Sequence, residues 1–565
     1  MDYPAIKHSC ELATKTVPYR CAVSVNRDGP EEAFCNRDAV QGSFDARGMR
    51  NAAVASEAPD FSAVLVDGAE YSIENTDISL LSKSDGKEVC DFVGLGSAVG
   101  AFDGAVVRIK DSSIRTEGVA KCTIFVDDGS DVVAENCTLS AMGGKLYDGY
   151  VNSADFNRMV APPWVLGMAG NARGTNLMGD KASTALINCE VTAANWGALS
   201  TDNGERNLLT VADSTLTLTG CPEDKKNPYY KTWGSGYGTY ILGCHEVFQG
   251  VTMNVGTYIG IARDGSADYR SSRGTVRHVS PSTGAVLYEG EGKGQNTVLN
   301  SDAFGIMAHG WAAIRLTDGT EMNTRNAAFL CRSGGVKLRV DGGAKINVED
   351  GVLLQVMDDD DATVGVDWDN KEIEMAFHTE FREKEGWPSE NGQLTAQMPP
   401  CPPPPPPPPA EDGAEDDGPE PPQFDVRFSA ADTILKGDLF NASGYYGQQA
   451  KQLYITLDAG AELTGLITAA EAIHVDENGK QNTFFTSEQY YYLGHVANRP
   501  FLHEDNRVEV TLNEGSAWHV TGTGLLTSLT VMPGAVFDGK LTVDGKEILP
   551  EFGKTYTGRL EISVP

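Results

Sequence analysis

The chain has 565 residues, with 79 acidic against 45 basic side chains and a net charge of −34. Such a surface repels nucleic acid and anionic bilayers, so neither is expected as a partner. Its 11 cysteines are spread without a CxxC pair, which argues against a zinc ribbon or a disulfide scaffold and fits reduced thiols.

Residues 1–60 open with MDYPAIKHSC, which has no basic segment followed by an apolar core. Nor is there any run of about 18 apolar residues to span a bilayer. The expectation is a cytoplasmic protein; the alternative is a secreted one whose leader has been removed. This stretch lacks the repeat that follows it and is expected to cap the first turn of that repeat.

From residue 61 a short motif recurs: Asn or Asp, two small or polar residues, then an aliphatic. It appears as Asn75-Thr-Asp-Ile78, Asp111-Ser-Ser-Ile114, Asn136-Cys-Thr-Leu139, Asn188-Cys-Glu-Val191 and Asp213-Ser-Thr-Leu216. The intervals are 36, 25, 52 and 25, which a period of 25 with insertions explains. One such unit cannot bury its apolar side alone. Stacked units place the aliphatics in a single internal ladder, with strands about 4.8 Å apart. Five residues after the aliphatic a further strand begins, at Trp196, Tyr258, Phe304 and Ala327. Leu299, Met322 and Ile346 keep the rhythm at intervals of 23 and 24.

This spacing resembles that of the right-handed parallel β-helix superfamily, which includes pectate lyases and many adhesins. The resemblance covers roughly residues 60–360 and rests on periodicity. It implies an all-β chain: a right-handed parallel β-helix solenoid with loop insertions. The main solenoid is expected over 61–365, with insertions at 145–182, 221–235 and 264–290.

With the second strands in register, their C-terminal ends form a row of Asp202, Arg263, His309, Arg332 and Asp358. His309, Asp202 and Asp358 are the candidate catalytic groups, because imidazole and carboxylates exchange protons near neutral pH. Arg263 and Arg332 are candidate substrate-binding groups through bidentate donation. Trp196, Tyr240 and Tyr258 offer faces on which rings stack, and Arg173, on the 145–182 insertion, is placed to close over the edge. A turn-facing strand end is also polar for solvation alone, which is the competing reading of the row. The run at Asp358, Asp359 and Asp360 offers oxygen ligands for Ca²⁺. It has no EF-hand spacing and reads first as a solvated turn. No P-loop, GxSxG or HExxH motif is present.

Residues 366–424 form an insertion that carries the run Pro402 to Pro409 and then EDGAEDDGPEPP. This reads as an extended, acidic linker. Strand patterns return over 425–565, at 453–465, 508–522 and 526–539. They are expected to be further β-helix-like coils, with a separate β-sandwich as the alternative. Two functions follow. One is a lyase, hydrolase or isomerase acting on a carbohydrate or other polyhydroxylated molecule. The other is a non-catalytic, adhesin-like binding solenoid.

Overall fold

The computed structural model describes residues 5–6, 17–87, 91–150, 159–163, 166–220, 227–229, 231–359, 372–374, 424–444, 450–481, 484–486 and 490–565. The chain is all-β, with 55% strand and 2% helix, and its large sheets are parallel and do not close into a barrel. Among the described residues no helix is long and apolar enough to cross a membrane.

The strands stack in three parallel ladders, and the chain visits these in a fixed order. Val99–Phe102 lies in the first ladder, Val106–Lys110 in the second and Ser113–Glu117 in the third. The next rung, Ile124–Val126, Asp131–Glu135 and Thr138–Met142, pairs with these residue for residue. In the third ladder the register column Ile78, Ile114, Leu139, Val191, Leu216, Met253, Leu299, Met322 and Ile346 runs unbroken. All nine are buried, and they belong to one apolar core that extends from Ala22 to Ile562.

The corner between the second and third ladders explains the sequence motif. Asn75, Asp111, Asn136, Asn188 and Asp213 all have left-handed backbones, with φ between 47° and 55°. Asn and Asp tolerate this conformation better than other side chains. The small residue that follows turns inward and donates to the carbonyl two positions back. Ser112 bonds the Lys110 carbonyl at 2.7 Å and Ser214 that of Ala212 at 2.7 Å, while the Cys137 thiol reaches that of Glu135 at 3.2 Å. The fourth position then faces the core. The corner amides also bond one another from rung to rung, Asn136 to Asp111 at 2.9 Å and Asn188 to Asn136 at 2.6 Å.

Three boundaries differ from the expected ones. Arg20–Asn26, inside the presumed cap, pairs in parallel with Phe61–Asp67 and is already a strand of the first ladder. Thr175–Leu177 and Gly265–Arg270, expected within insertions, are ladder strands. What is inserted after the latter is an antiparallel hairpin, Thr275–Val279 with Val286–Glu291. The run Pro402 to Pro409 lies outside the described residues. On its far side Val426–Ala430 pairs in parallel with Val336–Val340, and Leu453–Leu457 and Val508–Leu512 follow. These strands extend the earlier ladders, whereas a sandwich of the kind considered needs antiparallel partners.

A second apolar cluster lies on the outer side of the first ladder. It includes Phe102, Phe125, Trp196, Tyr237, Tyr258, Phe304 and Leu330, with Met159, Val160 and Met168 packed over them. The outer face of that ladder is therefore covered along part of its length by inserted segments.

Candidate functional site

Much of the predicted row does form. Ala262, Ala308, Cys331 and Val356 are register partners. One residue further on, Arg263, His309 and Arg332 stand side by side. Asp202 belongs to the same column, because Thr201 pairs with Ile241 and Ile241 with Ala262. His309 and Asp202 are three rungs apart, about 14 Å between backbones. Two expectations need correction. Trp196 does not align with Tyr258 and Phe304: it pairs with Gly236, and Gly197 leads through Tyr237 to Tyr258. Trp196 itself has φ 60°, so an extra left-handed residue occupies that corner. Asp358 lies one position beyond the column, since Val356 and Met357 take the places opposite Cys331 and Arg332.

The row is mostly enclosed. Asp202 is buried and ion-paired with the equally buried Arg173, whose guanidinium sits 3.8 Å over the Trp196 ring. Arg332 is 1% exposed, beside Gly494. Tyr258 stacks on Phe304 at 5.7 Å and donates its hydroxyl to the Leu166 carbonyl at 3.1 Å. The Asp358 carboxylate accepts the Gly444 amide at 2.8 Å and lies 3.6 Å from Lys451 Nζ. His309 Nδ1 lies 3.8 Å from Asp359. Tyr240 is half-buried against Tyr237, and Arg263 is exposed. The Asp358–Asp359 pair thus faces Lys451 and His309; Asp360 lies outside the described residues. No group of three or more His, Cys, Asp or Glu among the described residues could hold a metal ion.

A cleft of about 360 Å³ opens near this row, at the corner between the third and first ladders. None of the nine predicted site residues lines it. Three parts of the chain converge there: Tyr229 from the 221–235 insertion, Arg325 and Asp350 from successive corners, and Glu477 and His495 from the segment after Ile467–His474. His495 is wedged between aromatic rings, stacked on Tyr229 at 3.6 Å and 4.8 Å from Phe304. Arg325 donates to the Tyr229 carbonyl at 3.3 Å and lies 5.4 Å from its ring centroid. The Tyr492 hydroxyl donates to Glu477.

Burial acts on one carboxyl of the cleft, Asp350. Although the Asp350 residue reaches solvent at the mouth, the protein packed around its carboxyl pushes its pKa up to about 6. The Val352 amide, at 2.9 Å, and the Asn326 side chain oppose this rise without cancelling it. Glu349 is ion-paired with Lys231 at 3.3 Å, and the Asp476 carboxylate closes its own turn by accepting the amides of Asn478 and Lys480. Burial raises the Tyr229 and Tyr492 phenols, and the bond to Glu477 adds to the rise at Tyr492. The arrangement offers a proton donor, a second carboxylate, a guanidinium and an aromatic wall around one small volume.

Sequence reasoning did not find this cleft. Asp350 and Arg325 follow strands of the recognised repeat, but nothing in the period marks them. Glu477 and His495 arrive from more than a hundred residues away on a segment with no repeat. Comparison with protein-family models, curated proteins and solved structures finds no match.

Proposed function

We propose that the chain is a right-handed parallel β-helix of the pectate-lyase-like kind, and that the corner cleft hydrolyses a glycosidic bond in a carbohydrate. The observation that carries this reading is the convergence of Asp350, Glu477, Arg325 and the Tyr229–His495 stack on a single cleft. Glycoside hydrolysis needs two carboxyl groups with different protonation states, one to protonate the leaving oxygen and one to assist attack at the sugar carbon. Asp350 is the proton donor, because its surroundings keep its proton on to higher pH than an open carboxyl would. Glu477, oriented by the Tyr492 hydroxyl, is the second carboxylate. The Tyr229–His495 stack walls the cleft, and Arg325 donates to the sugar's oxygens.

In this reading the His309 row stands behind the cleft: Arg332 and Phe304 both pack against Gly494, itself a residue of the cleft wall. The test is reducing-end release from a panel of soluble polysaccharides. Asp350→Asn should lower kcat by on the order of 10²–10⁴ while the melting temperature holds. Equal turnover by Asp350→Asn and the parent chain would dismiss the cleft as the catalytic centre.

A further inference from the structure

The outer face of the third ladder carries a second feature. Asn254, Asn300, Asn323 and Asn347 occupy one register column on successive rungs. Each amide N–H donates to the side-chain oxygen of the preceding rung: Asn300 to Asn254 at 2.9 Å, Asn323 to Asn300 at 3.0 Å and Asn347 to Asn323 at 2.8 Å. A primary amide has two N–H groups and two acceptor lone pairs, so this ladder leaves one of each per rung for a ligand.

The last three of these asparagines floor a groove of about 820 Å³. One wall is the segment Lys231–Trp233, held in place because the Asp302 carboxylate accepts three consecutive backbone amides, at 3.2, 2.5 and 2.8 Å. The other side carries Lys345 and Lys436, both exposed. On a chain of net charge −34 these two ammonium groups stand out as hydrogen-bond donors beside the amides. Glu349 lines both this groove and the catalytic cleft, so the two are contiguous around one corner.

We infer that the asparagine groove is a substrate-binding subsite, and that the substrate is an extended polyhydroxylated chain rather than a single sugar. The inference rests on the carbohydrate reading of the neighbouring cleft and narrows it to a polymer. Amides at a regular rung spacing suit a ligand that itself repeats. Alternating donors and acceptors suit hydroxyl groups, which are both. The half-buried Trp233 at the wall supplies an apolar face for a ring.

The experiment is affinity electrophoresis of the full chain through gels that contain xylan, mixed-linkage β-glucan, mannan or polygalacturonan. Free hexasaccharide and monosaccharide of the retarding polymer serve as competitors. The parent chain should be retarded by at least one polymer. The exposed pair Lys345→Ala/Lys436→Ala, and separately Asn323→Ala, should each weaken retention by about tenfold or more, equivalent to about 1.4 kcal/mol. Asp350→Asn should be retarded like the parent chain. Hexasaccharide should compete at least about tenfold better than monosaccharide. Unchanged retention in both groove variants, equal competition by the monosaccharide, or no retardation on any gel would each overturn the subsite. Full turnover by Asp350→Asn, with retention still sensitive to the groove variants, would instead remove the catalytic reading and leave the subsite standing.

Discussion

At the scale of single residues, the corner positions and the buried acids make the sharpest statements. Asn136 sits at φ 55° with its side chain bonded to Asp111. A β-carbon without a local hydrogen bond costs about 1–2 kcal/mol in that conformation, whereas glycine has no such cost. Asn136→Ala should therefore lower stability measurably and Asn136→Gly much less, as read by urea denaturation. Glu246 points into the apolar core, wholly buried, with Thr239 Oγ1 donating to it at 2.6 Å and Thr201 at 3.5 Å. Burial pushes its pKa up to about 8. The folded chain thus holds a proton that the unfolded chain releases near the ordinary carboxyl value, so this group's contribution to stability declines as pH rises from about 4.5 to about 8. Glu246→Gln should flatten that slope; an unchanged pH profile would show that Glu246 is not the group responsible. In the cleft, the proton on Asp350 is lost as pH passes about 6, and the acid-catalysed rate should fall there.

At the scale of elements, the hairpin over the second ladder is the part most sensitive to acid. His278 on Thr275–Val279 is fully buried, and its two ring nitrogens lie 2.9 Å from Thr210 Oγ1 and 3.0 Å from Ser183 Oγ. Burial lowers its pKa to about 4. The unfolded segment takes up a proton below about 6.5 while the packed one does not, so acid weakens the hairpin between those values. Ser183 also bonds Asp131, whose carboxyl burial holds above the ordinary carboxylate range. Arg108 anchors the far strand at the Leu287 carbonyl. Hydrogen-exchange protection factors across 275–291 should fall between pH 6 and 4 before those of the ladders do. How much of an element could be read from the sequence follows from what made it visible. The third-ladder column from Ile78 to Ile346 was legible because each rung repeats corner, inward turn and aliphatic at fixed offsets. The first ladder was legible from Tyr258 to Met357, but Arg20–Asn26 and Thr175–Leu177 were hidden in the expected cap and insertion, and at Trp196 one left-handed residue shifts the frame without any apolar signature. The cleft was not legible, because Tyr229, Asp350 and His495 meet only through insertions that obey no period.

At the scale of the molecule, a single core crosses the acidic Pro-rich stretch without interruption, since Val426–Ala430 stacks directly on Val336–Val340. Replacing residues 380–420 by a short Gly-Ser linker should shift the melting temperature by no more than about 2 °C, because the described pairings on either side, Val336–Val340 with Val426–Ala430 and Val352–Met357 with Asp438–Ala442, are kept; 1 kcal/mol is worth only a few degrees even in smaller domains. A core substitution such as Leu139→Ala should act quite differently, costing about 2–5 kcal/mol through the cavity it leaves between rungs. Besides the hairpin at 275–291 and the pair Ile467–His474 with Val496–Pro500, reversed strands close both ends of the stack. At the start, Gly29–Pro30 folds back antiparallel on Arg20–Asn26, and Val40–Phe44 on Gly48–Ser56. At the finish, Thr555–Ser563 runs antiparallel to Gly524–Val531 and Lys540–Val543 antiparallel to Thr555–Ser563. A parallel stack has no intrinsic length: each completed rung presents the template for another, whether from its own chain or from a second molecule. The reversed strands terminate that growth. A chain shortened before Lys540 would lose that stop together with the core residues Leu541, Leu560 and Ile562; with the reversed strands at its start still in place, it should pass from a particle of fixed size to pairs joined at the uncovered rung, a doubling of mass read by light scattering.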